Sequence, residues 1–156
     1  MAAGTSVVHL MARSSTAVHV ALLRATKGKM GAGGGEGKMA VLTTTGAKSG
    51  HHRSTVVMAI PDGDGYLVIA SNAGRPHHPA WYHNLRAHPE ARLELNGKAI
   101  DLRGRVATPE ERAKLWPDIV ARFSGYGRYQ EKTSREIPVV ILEPATAAGE
   151  ATGAPG

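Results

Sequence analysis

The sequence predicts one domain made mainly of antiparallel β-structure, a barrel or curled sheet with helices attached. Three observations predict it. Short apolar strands recur at close spacing, in pairs joined by hairpin turns. Only one or two helical stretches lie between them, without the strand–helix–strand alternation of a parallel sheet. There is no dinucleotide-binding glycine fingerprint and no internal repeat. At 156 residues and 42% hydrophobic, the chain suffices for one domain with a real core.

The elements follow in order. Thr5 to Thr26 reads as an amphipathic helix, with Val7, Val8, Met11, Val18, Ala21 and Leu22 near helical spacing. It either packs on the domain or a second subunit, or rests on anionic lipid as a basic interfacial helix. Lys27 to Lys38 is Gly-rich and reads as a flexible link. Its GK pair is not followed by Ser or Thr, so it is not a phosphate-binding Walker loop. The ordered body starts at Met39. Ala40 to Thr43 is a short buried strand, and Thr44 to Gly50 a turn. His52 to Ile60 is a strand with Thr55, Val57 and Ala59 on one face and Val56, Met58 and Ile60 on the other. Pro61 to Gly65 is a hairpin turn, and Tyr66 to Ser71 the returning strand. After a polar loop, Pro79 to Ala87 suits a short helix that opens on Pro. Arg92 to Leu95 and Ile100 to Ala107 pair around Asn96-Gly97. Thr108-Pro109-Glu110-Glu111 is a capping box that opens a helix running to about Phe123. Ile137 to Leu142 is the last strand, and residues beyond Pro144 are expected to be disordered.

Composition narrows the chemistry. Cysteine is absent, which excludes disulfide scaffolds, thiolate metal sites and cysteine nucleophiles. The net charge of +6 favours an anionic partner. Residues 1–39 hold Arg13, Arg24, Lys27, Lys29 and Lys38 against Glu36, a balance of +4, which leaves +2 for the remainder. The arm lacks the apolar run of a secretory signal or a membrane span. With a nearly neutral body and no aromatics set among basic residues, nucleic acid is not an expected partner. His77, His78 and His83 lie close in sequence but lack zinc-helix spacing, so no metal site is expected. No GxSxG elbow, Ser-His-Asp set or carboxylate pair is present.

Three stretches carry candidate chemistry. Thr43 to Arg53 holds hydroxyls, two glycines, Lys48 and Arg53 between two apolar strands. Such a loop is either an anion cradle or an ordinary polar turn. Ala70-Ser71-Asn72-Ala73-Gly74 is a run of small residues after a strand, able to let a flat ring lie on backbone. Pro79 to Leu85 gathers Trp81, Tyr82 and Asn84; Trp81 reads best as core packing, and Asn84 as a ligand-orienting or loop-capping residue. Phe123, Tyr126 and Tyr129 recur at helical spacing, either as an aromatic lid or as phenols that donate to a reacting oxygen.

Together LTTTGAKSGHHR, ASNAGRPHHPAWYHNL, RVATPEERAKLWP and YGRYQEKTSREIPVVILEP resemble, in this order, the deazaflavin-dependent nitroreductase family of actinobacteria. The resemblance covers about residues 39–144. It implies a mainly β (α+β) split β-barrel of about six antiparallel strands with a few flanking helices, often dimeric. It implies an oxidoreductase that uses coenzyme F420, whose reduced form donates hydride to an activated acceptor. The loop matching Thr44, Thr45, Gly46, Lys48, Ser49 and Arg53 would grip the coenzyme's phosphate and polyglutamate tail. Ala70, Ser71, Asn72, Ala73 and Gly74 would lie along the ring, with Ala80, Trp81 and Asn84 closing over it. Ser71, Tyr126 and Tyr129 would hydrogen-bond the reacting acceptor, in a pocket completed by Met58 and Phe123. Relatives that reduce bulky nitroimidazoles have Tyr at the position of Phe123, another aromatic at Met58 and Lys at Asn72. These departures shift the expected acceptors towards quinones, enones and unsaturated lactones of the coumarin type, beside nitroaromatics.

The implied organisation is an arm (1–38), a coenzyme-binding barrel (39–144) and a tail (145–156). The expected setting is cytoplasmic, with the arm leaving open a peripheral contact at the inner face of the cell membrane. The competing readings are an FMN- or heme-binding split barrel and a non-catalytic F420 carrier with a membrane-associating arm.

Overall fold

In a computed structural model of the chain, the residues described are 37–145 together with 20, 21 and 24. Six strands form the barrel: β1 (Lys38–Thr45), β2 (His52–Asp62), β3 (Gly65–Ile69), β4 (Glu90–Leu95), β5 (Lys98–Val106) and β6 (Val139–Pro144). Between β3 and β4 lie a single 3-10 turn (Asn72–Gly74) and helix α1 (Ala80–Ala87). Between β5 and β6 lie α2 (Pro109–Arg122) and α3 (Gly125–Glu131). The strands close in the order β1-β2-β3-β6-β5-β4, every neighbouring pair antiparallel.

The period of two in the strand sequences sorts side chains into two cores. Ala40, Leu42, Ala59, Val68, Leu93, Leu102, Val140 and Leu142 point into the barrel, where Tyr82 and Leu85 of α1 join them. Gly104 of β5 permits this plug: a Cβ there would lie 3.2 Å from both Leu85 methyls. On the outside, Ile60, Leu67, Ile69, Val139 and Ile141 pack against Ile119, Leu115 and Trp116 of α2 and the aromatics of α3. Strands β3 and β6 are thus buried on both faces, which explains their unbroken apolar runs.

Turn chemistry fixes the register. Asn96 and Gly97 have φ of 51° and 77°, the double left-handed geometry of a two-residue hairpin. Helix α2 begins with the capping box: Thr108 Oγ1 accepts from the Glu111 amide at 3.2 Å, and Glu111 Oε1 accepts from the Thr108 amide at 3.0 Å. Several expected boundaries move. Lys38, placed in the Gly-rich link by sequence, belongs to β1 opposite Ala59. Pro61, read as a turn residue, stays in β2 opposite Tyr66, so the hairpin turn shrinks to Gly63-Asp64. The last strand slides from 137–142 to 139–144. Ile137 and Pro138 precede it, with the Ile137 amide on the Gln130 side chain.

One irregularity positions the site. β2 pairs with β1 along Lys38–Thr45, but with β3 only from Ile60 to Asp62. From His52 to Ala59 the second edge of β2 has no strand beside it among the described residues, and β3 diverges into the 70–78 segment. This is the split in the barrel.

The expected helix over Thr5–Thr26 lies mostly outside the described residues, as do the Gly-rich link before Gly37 and the tail after Ala145. Val20 is buried against Val41 of β1, with Met39 and Val56 beside them. Arg24 pairs with Glu94 of β4 at 2.7 Å.

Candidate functional site

The β1–β2 loop is built from its own backbone. The Gly46 amide donates to His51 O at 2.8 Å, and the Gly50 amide to Gly46 O at 2.9 Å. Gly50 has φ of 71° with open space at its Cα, so its glycine serves the backbone turn. Helix α1 holds this loop in place: Asn84 Oδ1 accepts from the Ala47 amide at 3.0 Å, and Asn84 Nδ2 donates to Thr44 Oγ1 at 3.1 Å. Thr44 and Asn84 are buried, whereas Lys48, Ser49, His51, His52 and Arg53 are exposed. Among the described residues neither Lys48 nor Arg53 forms an ion pair. Both hydrogen bonds tie Asn84 to the loop, the capping role its sequence position allows beside that of orienting a ligand.

The small-residue run after β3 is a strained turn. Ser71 is right-handed, and Asn72, Ala73 and Gly74 follow with φ of 47°, 56° and 75°. A left-handed alanine costs about 1–2 kcal/mol, so something must hold it. Asn72 Nδ2 donates to His77 O at 2.9 Å. Gly74 abuts α3: a Cβ there would come 2.8 Å from Tyr129 O. Arg135, a residue that sequence reading did not single out, donates to the carbonyls of Ala70, Ser71 and Arg75. The αR-then-αL order gathers the Ser71, Asn72 and Ala73 amides on one concave side, and among the described residues they meet no acceptor.

Helix α1 follows this turn. Trp81 is half-buried against the interior cluster and Tyr82 is buried in it, the core role expected for Trp81, while Ala80 is exposed. The His78 ring lies 4.4 Å from that of Tyr82 and 5.7 Å from that of His83. Among the described residues no group of three His, Asp or Glu could hold a metal ion.

The proposed acceptor residues meet where β2 stands apart from β3. A Cβ on Gly37 would lie 2.7 Å from Met58 Sδ and 3.0 Å from Phe123 Cζ, so both side chains converge on that glycine. Phe123, Tyr126 and Tyr129 form a row of edge-on rings, 6.3 Å between successive centroids. The row exists because α2 ends at Phe123 and a separate short helix, α3, begins at Gly125. Burial pushes the Tyr126 phenol up to about 12, with Tyr129 adding to the shift. Among the described residues the hydroxyls of Ser71, Tyr126 and Tyr129 have no protein hydrogen-bond partner.

A separate open cleft of about 610 Å³ lies between the β2–β3 hairpin, α2 and the end of β6. None of the candidate coenzyme or acceptor residues lines it. Its central cation, Arg105, is already held by Glu111 at 2.7 Å and Glu143 at 2.9 Å. The cleft is a structural ionic surface, and the chemistry points to the split instead.

The structure also fits an anionic coenzyme by charge. Residues 37–61 and 65–89, which contain the loop, the turn and α1, include Lys38, Lys48, Arg53, Arg75 and Arg86 and no Asp or Glu.

Comparison with known proteins adds identity to this geometry. The family model for F420H(2)-dependent quinone reductase matches residues 15–144, reaching well into the arm that sequence reading had set apart. An F420H(2)-dependent quinone reductase of Mycobacterium tuberculosis is 37% identical over 129 residues, covering 80% of this chain and 87% of that one. Among solved structures, an F420-H2 dependent reductase (FDR-A) is 39% identical with a TM-score of 0.61, covering 67% of this chain and 93% of that chain. A chain described as a domain-swapped dimer has the same identity and TM-score, covering 67% and 79%. A heme storage protein from Vibrio cholerae, 13% identical with a TM-score of 0.51 over 81% and 87%, shares the fold alone.

Proposed function

We propose a quinone as the acceptor for this chain, which belongs to the F420H(2)-dependent quinone reductase family and is an F420H2-dependent oxidoreductase. The observation that carries the choice of acceptor is the meeting of Met58, Phe123, Tyr126 and Tyr129 beside the Ser71–Gly74 turn. That surface is apolar and aromatic, with phenols free to donate, which suits a flat carbonyl compound. Enones, unsaturated lactones and nitroaromatics share these requirements and are secondary acceptors.

The reduced coenzyme, when bound, supplies a hydride. The chain's own residues then have three tasks. Lys48 and Arg53, with the loop hydroxyls of Thr45 and Ser49, bind the anionic portion, and Asn84 holds that loop against α1. The turn at Ala70–Gly74 would support the ring and orient it towards the acceptor. Ser71, Tyr126 and Tyr129 donate to the acceptor oxygen as negative charge grows there. Tyr126 suits this because its phenol, protonated at neutral pH, has no hydrogen-bond partner among the described residues.

The test is direct. Purified protein with F420H2 and menadione should reoxidise the deazaflavin rapidly, and NADPH should not replace F420H2. Absence of F420 binding at micromolar concentration removes the assignment of the coenzyme site. A protein coloured by FMN or heme on purification would favour the other split-barrel chemistry.

We further propose a homodimer, supported by the structural neighbour described as domain-swapped; light scattering on the purified chain tests it. For the arm, packing on the barrel is favoured over lipid contact. Val20 is buried on β1, and the charge of Arg24 is taken by Glu94. Among the described residues no helix is long and apolar enough to cross a membrane.

A further inference from the structure

We propose that Arg135 positions the Ala70–Gly74 turn for the coenzyme, its one guanidinium holding three carbonyls of the 70–75 segment and the His78 ring. The inference rests on assigning that turn to the deazaflavin ring.

The contacts are specific. Nη2 donates to Ser71 O at 2.8 Å, Nη1 to Ala70 O at 3.2 Å and Nε to Arg75 O at 3.0 Å. Nη1 also lies 3.0 Å from His78 Nδ1. Among the described residues Arg135 has no carboxylate partner. A cation whose acceptors are all neutral, most of them backbone, serves to order those acceptors. Only a planar fork with five donors can satisfy four acceptors around it; a lysine has three donors on a single atom.

The fork is itself anchored. Gln130 Nε2 of α3 donates to Arg135 O at 2.7 Å, and Gln130 Oε1 accepts from the Ile137 amide at 2.8 Å. Arg112 of α2 donates to Gln130 Oε1 at 3.1 Å and to Ile137 O at 2.9 Å. Two helices therefore fix the 135–137 segment, and that segment fixes a turn some sixty residues earlier in the chain. The turn needs this support, because three successive residues sit at positive φ.

His78 is part of the same device. Its Nδ1 faces a donor, so it must accept, and the neutral ring carries its proton on Nε2. Burial, then Arg135, His83 and Arg86, hold its pKa below the ordinary value, and the Tyr82 ring packs beside it.

The experiment compares the wild-type chain with Arg135→Lys, Arg135→Gln and Arg135→Ala. Kd for F420 is read by titration, and KM for F420H2 and for menadione by steady-state kinetics. The expected result is at least a tenfold rise in Kd for F420 and KM for F420H2, with KM for menadione within twofold. Added guanidinium should restore much of the affinity of Arg135→Ala. A fall in melting temperature with Kd and KM for F420 unchanged overturns the role, and so does restoration of wild-type affinity by lysine alone. If Arg135→Gln or Arg135→Ala fails to fold, Arg135→Lys carries the test. Loss of F420 binding by the wild type would instead overturn the coenzyme assignment, and the inference with it.

Discussion

At the residue scale, the informative side chains are those whose polar atoms are already committed and those whose polar atoms are free. Asn84 is committed. Two hydrogen bonds of about 1 kcal/mol each tie Thr44 and Ala47 to α1. Asn84→Leu should therefore weaken F420 binding about tenfold in a titration, by releasing Thr44 and the Ala47 amide of the loop proposed to grip the coenzyme. Tyr126 is free. Tyr126→Phe should lower kcat for menadione at least tenfold, about 1.4 kcal/mol of transition-state stabilisation, and leave the Kd for F420 unchanged. The same residue predicts alkaline behaviour. Its pKa rises from 10.0 to about 12 on folding, so its contribution to stability is complete below pH 10 and disappears as pH rises towards 12. Melting temperatures across that window should fall less steeply in Tyr126→Phe than in the wild type. Both residues stood out in the sequence, but only their chemistry was readable there. The partners of Asn84 lie about forty positions away in the chain. Arg135 gave no signal at all, because its acceptors are mainly backbone carbonyls, which leave no mark in side-chain patterns.

At the element scale, legibility followed local chemistry. The start of α2 was readable because Thr108, Pro109 and Glu111 form a capping box within four positions. The Arg105 guanidinium and the Thr108 amide hold the Glu111 carboxyl down at about 2. The stabilisation this implies is present above about pH 4.5 and is lost as pH falls through 2. An acid melt should show a smaller decline over that range for Glu111→Gln, and Thr108→Ala should cost about 1 kcal/mol at neutral pH. Helix α3 was harder to see: its seven residues include two glycines and no capping side chain. Tertiary contact creates it, through Tyr126 and Tyr129 on the outer core and Gly74 against its backbone. The limits of β3 were blurred for a related reason. Its apolar run continues through Ala70, which is fully buried without belonging to the strand.

At the scale of the molecule, antiparallel strands and their number followed from hairpin spacing, but closure did not. The β1–β4 and β3–β6 ladders join segments far apart in sequence, and nothing local announces them. Charge is organised on the same scale. Carboxylates are absent from residues 37–61 and 65–89, whereas on β4 and β5 Arg92 meets Asp101 and Arg103 meets Glu90. F420 affinity should accordingly fall as salt rises from low ionic strength to beyond 0.1 M, where the screening length is about 10 Å. The Arg135 variants should retain that salt slope.

The parting of β2 from β3 has a consequence for handling the protein. Among the described residues no strand covers the second edge of β2 from His52 to Ala59, and an open edge is the kind of template on which foreign strands accrete. The opening proposed to take the coenzyme's flat ring would thus also be a surface open to unwanted assembly. Preparations stripped of F420 should turn turbid sooner on warming than loaded ones. Amide exchange, slowed by the coenzyme, should mark this stretch as the origin.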